Sequence, residues 1–439
     1  MTITNNASHN DSLSPGRVLR GLLIAGLLFF CSGFAALVYE ALWFRQIGFV
    51  FGNTVLAAST VLTAFMAGLA MGAHCFGRWA SRIVRPIRAF GYLEVGVGLF
   101  ALVLPLFLKG IMVVYRFAYQ NVSDSLLLLT PLRFILSILL LLVPTFLMGG
   151  SLPVLCRALA ADKERFGSRL GWLYGINTAG AVAGVLAASY VFLPAFGLAR
   201  ANWIAVAVNV SVGIAAIVWS RVSQITVEAS TAPVAEKSRQ IPARARWLLL
   251  AVAASGLLSL ALEVVWFRAL ILVFGSTTYS FASMLSMFLL GIALGSMLLS
   301  WISDRLKNPI TIFAAAEILI SALMVRAMFN FIGKQDFLLQ YFIDHGLTWG
   351  NLIKAKFLIT ASILFVPACL FGAAFTAAAR ALRDEMETSS RTIGEIYTFN
   401  TVGAVLGSFL GGFVLLPLLG MENSILLLSL LAAVTGALL

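Results

Sequence analysis

Charge is scarce in this chain of 439 residues: Asp, Glu, Lys and Arg together make up 11% of it. A soluble domain needs a polar surface, and surface-to-volume scaling leaves too much apolar area facing water for so few charges to cover. Cysteine and histidine are equally sparse, at four and three. Cys31, Cys75, Cys156 and Cys369 form no CxxC spacing, and His9, His74 and His345 lie far apart, so neither a disulfide framework nor a metal site is expected. No Walker-type phosphate loop, no Ser/His/Asp pattern and no strand followed by a Gly-rich loop and an acidic residue is present. Nucleotide, cofactor and aminopropyl-donor chemistry therefore have no sequence foothold. Gly149-Gly150 and Gly411-Gly412 sit inside apolar runs and are not phosphate loops.

What the chain does have is apolar length. Hydrophobic residues make up 61%, and the mean hydropathy is +0.98. Runs of about 20 apolar residues, enough to cross a bilayer, recur from Leu19 to Leu439. Only helices or closed barrels satisfy their own backbone in lipid, and these runs are too long for barrel strands. An all-α integral membrane protein follows. The polar residues 1–17 lack a basic n-region, so the first apolar segment reads as a retained helix, not a signal peptide.

An internal repeat organises the spans. SGFAALVYEALWFRQIGFVFGNT, from Ser32, aligns without a gap on SGLLSLALEVVWFRALILVFGST, from Ser255, at an offset of 263 − 40 = 223. Between 32–82 and 255–305, 17 of 51 positions are identical. The same offset matches Pro86 with Pro309, Glu94 with Glu317, Pro144 with Pro367, Arg157 with Arg380, Asn177 with Asn400 and Gly197 with Gly420. Each half divides into six segments, near 19–44, 54–78, 87–115, 129–158, 167–194 and 199–220, then 247–267, 277–302, 310–333, 352–380, 390–417 and 422–439. The expected organisation is a polar tail over 1–17, a first six-helix repeat over 18–220, a flexible linker over 221–246 and a second repeat over 247–439. About 12 transmembrane helices in two parallel six-helix bundles result.

Twenty of the thirty Lys and Arg residues fall on the side of the N-terminus, which the positive-inside rule assigns to the cytoplasm together with the C-terminus. That rule also accounts for the net charge of +12 without nucleic acid as a partner. The expected location is a bacterial-type inner membrane.

Polar residues inside lipid are costly and mark candidate sites. Glu40 and Glu263 stand towards the outer ends of the first and seventh spans, and Glu94 and Glu317 inside the third and ninth. Arg133 and Lys356 are expected to pair with Glu40 and Glu263; the alternative gives all four glutamates a structural ion-pair or interfacial role. Asn177 and Asn400, with Tyr174 and Tyr397 three residues before them, read as interhelical glue or as hydrogen-bond donors to a substrate. Trp43, Arg45, Trp266 and Arg268 read as interfacial anchors. His74, near a helix end, reads as structural. Pro144 and Pro367 are expected to kink their helices. Gly68/Gly72, Gly180/Gly184, Gly291/Gly295 and Gly403/Gly407 each line one helix face. Static close packing is the plainer reading of these ladders, and a sliding surface between the halves the functional one.

Two resemblances follow from these residues. Gly77-Arg78-Trp79-Ala80-Ser81-Arg82 and Ser300-Trp301-Ile302-Ser303-Asp304-Arg305 resemble the loop between the second and third spans of the major facilitator superfamily, although the first copy lacks the Asp and the second the Gly. The repeated segment quoted above and GWLYGINTAGAVAGVLAASYVFLPAFG resemble the membrane region of the fused major-facilitator-like/spermidine synthase family, over nearly the whole chain. In that family a soluble aminopropyltransferase domain follows the membrane region. This sequence stops at Leu439, so synthase activity is not expected of it. Symmetric polar residues inside lipid lead to the expectation of a secondary-transporter-like protein working by alternating access, and the resemblance implies a small organic cation such as a polyamine as its substrate. Glu40, Glu94, Glu263 and Glu317 would supply charge, and Tyr174, Asn177, Tyr397 and Asn400 hydrogen bonds. The alternatives are a membrane subunit serving a separate synthase domain or protein, and a non-transporting scaffold.

Overall fold

The computed structural model describes residues 15–51, 55–80, 82–121, 125–159, 166–223, 242–275, 277–302, 308–331, 333–385 and 389–439. All regular structure among them is helical. The first half comprises α1 (Pro15–Phe51), α2 (Val55–Ala80), α3 (Pro86–Asn121), α4 (Leu126–Leu159), α5 (Phe166–Ala187) and α6 (Leu193–Ser223). The second comprises α7 (Ala243–Phe274), α8 (Thr278–Ile302), α9 (Pro309–Phe329), the short exposed α10 (Gly333–His345), α11 (Trp349–Thr360), α12 (Val366–Glu385), α13 (Ser389–Leu410) and α14 (Leu416–Leu438). Residues 224–241, most of the expected linker, lie outside the described residues, and α6 and α7 extend into its ends.

Ten stretches are long and apolar enough to cross a membrane, and two of them, Gly175–Ser223 and Glu395–Leu438, are 49 and 44 residues long. At about 1.5 Å per residue these exceed twice the hydrocarbon thickness of about 30 Å. Each contains one break, Gly197 with φ 71° and Gly420 with φ 72°, in the left-handed region where glycine carries no Cβ penalty. Beyond each break the chain turns back. Gly180 and Gly184 lie on Phe30 and Phe34, so α5 runs parallel to α1; Asn202 bonds Ala101 while Asn209 bonds Glu94, so α6 runs antiparallel to α3. The described residues therefore make twelve crossings.

The offset of 223 holds in three dimensions. A five-residue π-turn, Ala188–Phe192, ends α5, and its repeat mate Gly411–Leu415 ends α13. Gly403 and Gly407 lie on Ala253 and Leu257 as Gly180 and Gly184 lie on Phe30 and Phe34. Gly72 and Gly149 interlock α2 with α4, and Gly295 and Gly372 interlock α8 with α12. A Cβ at any of these positions would collide with a backbone carbonyl. Each of these glycines thus packs inside its own half, the arrangement that close static packing calls for.

The two prolines behave differently. α4 stays continuous through Pro144, and the Thr145 hydroxyl bonds the Leu141 carbonyl at 2.7 Å. Its mate is Ala368, which has no hydroxyl, and α11 passes into α12 through the π-turn Ala361–Phe365 just before Pro367.

The core has a directional layout. We call the side carrying the N-terminus and most basic residues the basic face, and the other the far face. Towards the far face, one apolar core unites both halves, with Phe44, Phe65, Trp266, Phe267, Phe281 and Phe288 among its members. Towards the basic face it divides. Phe29, Phe90, Val154 and Leu173 belong to a cluster drawn from the first half, and Leu248, Phe313, Ala378 and Ile396 to one drawn from the second. Leu99, Val103, Leu106 and Phe107 on α3 are exposed, as suits a helix solvated by lipid.

Candidate binding site on the pseudo-twofold axis

Two residues related by a twofold axis touch one another only where that axis passes. Phe44 and Phe267 are repeat mates, and their rings meet edge to face at 5.7 Å. Phe281 from α8 stacks on Phe44 at 4.2 Å and closes a three-ring cluster. The axis relating the halves therefore runs through this cluster.

Glu40 and Glu263 precede these phenylalanines by four residues, one helical turn towards the basic face and on the same side of α1 and α7. They are 3% and 2% exposed. The Oε1 atom of each has no hydrogen-bond partner. Glu263 lies 11 residues before Phe274, the end of α7. That is about 16 Å along the axis, close to mid-membrane and deeper than the outer-end position read from the sequence.

The expected ion pairs do not form. Among the described residues no ion pair joins Glu40 to Arg133 or Glu263 to Lys356. The Arg133 guanidinium lies 4.0 Å from the centre of the Tyr115 ring. Lys356 Nζ is 3.5 Å from Thr277 Oγ1 and 5.5 and 5.8 Å from the Phe274 and Tyr279 rings. Both cations settle on aromatic faces near the far ends of their helices, which holds a partly desolvated cation without a carboxylate.

Glu94 and Glu317 lie elsewhere. Glu94 is enclosed by the first half, where Ser32 Oγ and Ser151 Oγ each donate to Oε1 at 2.8 Å and Asn209 Nδ2 donates to Oε2 at 2.9 Å. Its carboxylate ties α1, α3, α4 and α6 together. Glu317 takes the matching place in the second half. Asn177 Nδ2 donates to the Phe29 carbonyl at 2.9 Å and packs on Gly33, which is glue between α5 and α1. Asn400 packs on Gly256 in the same way. Tyr397 is partly buried, its carbonyl accepting from Thr401; the side chain of Tyr174 lies outside the described residues. His74 is exposed.

Trp43 and Trp266 are not interfacial anchors. Both are fully buried, Trp43 stacked on Tyr39 at 5.4 Å and Trp266 donating to Met324 Sδ at 2.9 Å. A tryptophan near a helix end reads as interfacial only if that end reaches the interface, and α1 runs two further turns to Phe51.

Around the axis the halves join through α2 with α13 and α5 with α8. Phe134 packs on Phe413 at 4.6 Å, and their repeat mates Phe357 and Tyr190 pack at 5.8 Å. Tyr190 also bonds Ser283 and the Tyr279 carbonyl, while Thr63 Oγ1 meets Ser408 Oγ at 2.9 Å and Ser59 bonds the Ser408 carbonyl. These residues were not singled out from the sequence. The offset that pairs Phe44 with Phe267 was a signal for the axis; nothing in the sequence pointed to Tyr190.

Comparison with solved structures bears on the fold. The chain resembles a bacterial homologue of the iron transporter ferroportin in its inward-facing state, with TM-score 0.59 and 16% identity over 95% of this chain and 98% of that one. The outward-facing state of a bacterial ferroportin homologue gives 0.55 at 15% identity, over 96% and 97%. The fucose:proton symporter of E. coli gives 0.54 at 15% identity, over 96% and 98%. The protein therefore shares the all-helical fold of these transporter structures. No family model and no curated protein matches the chain. These comparisons give the fused spermidine synthase family no support, nor a synthase partner.

Proposed function

We propose that the protein is a secondary transporter for a small organic cation, a polyamine being the type case, and that Glu40 and Glu263 bind its charge. One observation carries the reading: two repeat-related buried carboxyls lie one helical turn from the Phe44–Phe267 contact on the axis between the halves, and among the described residues no cationic side chain is paired to them. Two such groups in a low-dielectric site demand neutralisation by a proton or a cation. Binding at the interface of two repeats is where rocking of one half against the other exchanges access. The Phe44, Phe267 and Phe281 rings just above favour an ammonium group over an anion. The divided core on the basic side supports access from that face in the conformation seen here.

The test is uptake of labelled putrescine and spermidine into proteoliposomes, comparing wild type with the Glu40→Gln/Glu263→Gln double variant. Saturable uptake that disappears in a folded double variant is the expected outcome. Absence of uptake by folded wild-type protein overturns the cation reading.

A further inference from the structure

The second half contains a buried carboxyl that the axis site does not use. Glu317 on α9 is 0% exposed, and neither of its oxygens has a hydrogen-bond partner. Its mate Glu94 has three donors. The repeat offset shows what stands at the matching positions. Ser32 corresponds to Ser255, which lies alongside Glu317 but outside hydrogen-bond geometry. Ser151 corresponds to Ala374 and Asn209 to Ala432, neither of which can donate. The pocket has the carboxyl without the three donors that meet its mate.

Among the described residues no charged neighbour compensates. On α7, beside Ser255, the nearest ionisable residue is Glu263, two turns further on. On α12, Cys369 and Arg380 lie five and six residues from Ala374, and Arg380 stands towards the basic end. The α14 helix has Glu422 alone, at its far end, and on α9 Arg326 lies nine residues away in the last turn. A hard metal cation demands about six oxygen ligands, and the described surroundings supply two carboxyl oxygens and one hydroxyl. A proton needs one oxygen.

We propose that Glu317 is a protonation site confined to the second half: it holds one proton as a carboxylic acid in this conformation and releases it to water when α7, α9 and α12 shift against one another. The proton comes from the basic side, since Glu317 lies eight residues, about 12 Å, beyond Pro309 at the start of α9. Uptake converts a carboxylate and a proton into a neutral acid, and release reverses it; no other bond changes. As a coupling device the site rests on the transporter reading above. As a protonation site it does not.

Infrared difference spectroscopy of the full chain in lipid nanodiscs, stepped in pH, tests it. The expected result is a carboxylic-acid C=O band present in wild type and lost in Glu317→Gln. The band should shift to lower frequency or be lost in Ala374→Ser/Ala432→Asn, which gives Glu317 the donor set of Glu94. This second variant keeps the question open to refutation if Glu317→Gln fails to fold. A folded variant of either kind whose spectra match wild type across the pH range overturns the proposal. The readout needs no transport, so its failure is distinct from failure of the carrier reading. In proteoliposomes that do transport, Glu317→Gln should lose stimulation by a pH gradient while retaining exchange of labelled for unlabelled substrate. Stimulation equal to wild type would refute the coupling role.

Discussion

The two halves share a backbone and differ in how they treat one carboxyl. Glu94 and Glu317 stand at the same place in the repeat, yet the first receives three hydrogen bonds from three helices and the second none. Everything that lets backbones approach is duplicated: the glycine ladders, the π-turns Ala188–Phe192 and Gly411–Leu415, and the breaks at Gly197 and Gly420. Polar side chains at positions 151 and 209 are not. Close packing in lipid tolerates little change, because a methyl group set against a carbonyl has nowhere to go. A lost hydrogen bond costs less, and leaves a group free for another task.

The largest expected effect tests the shared part. Gly184→Ala and Gly407→Ala each place a Cβ against a carbonyl of the neighbouring helix and should destabilise their halves equally, by about 3 kcal/mol. Gly77→Ala, with open space around it, should be silent. Denaturant titration in mixed micelles reads all three, and an unequal cost would show that the halves differ in packing too. The next effect tests the divergent part. Ser151→Ala/Asn209→Ala makes Glu94 resemble Glu317 and should cost about 2 kcal/mol in the same titration, whereas Ala374→Ser/Ala432→Asn should cost nothing or stabilise. The smallest effect concerns a pairing that both halves lack. A Glu40→Arg/Arg133→Glu double-mutant cycle should give a coupling energy below about 0.5 kcal/mol, since Arg133 is engaged with Tyr115. A larger value would restore the ion pair.

Twelve crossings, their breaks and the glycine faces were legible in the sequence because each depends on period and on small residues, which a one-dimensional offset detects. Glu40 and Glu263 stood out for the same reason. Their surroundings did not. Pairing Glu40 with Arg133 relied on matched depth, and depth says nothing about which way a side chain points around its helix. Trp43 and Trp266 looked interfacial because α1 and α7 were read as ending about two turns too soon. Ser151 and Asn209 escaped notice because a search for what the halves share passes over what only one of them has.

The contact of Phe44 with Phe267 has a meaning beyond closure. A pair of like residues meeting across an axis is what a homodimer makes with itself. A six-helix ancestor carrying the Trp-Phe-Arg segment, the π-turn and the Gly197 break would have formed this same central seam from two separate chains. Joining its genes would let each half vary alone, and the differences between Ser151 and Ala374 and between Asn209 and Ala432 are ones that a symmetric dimer could not carry.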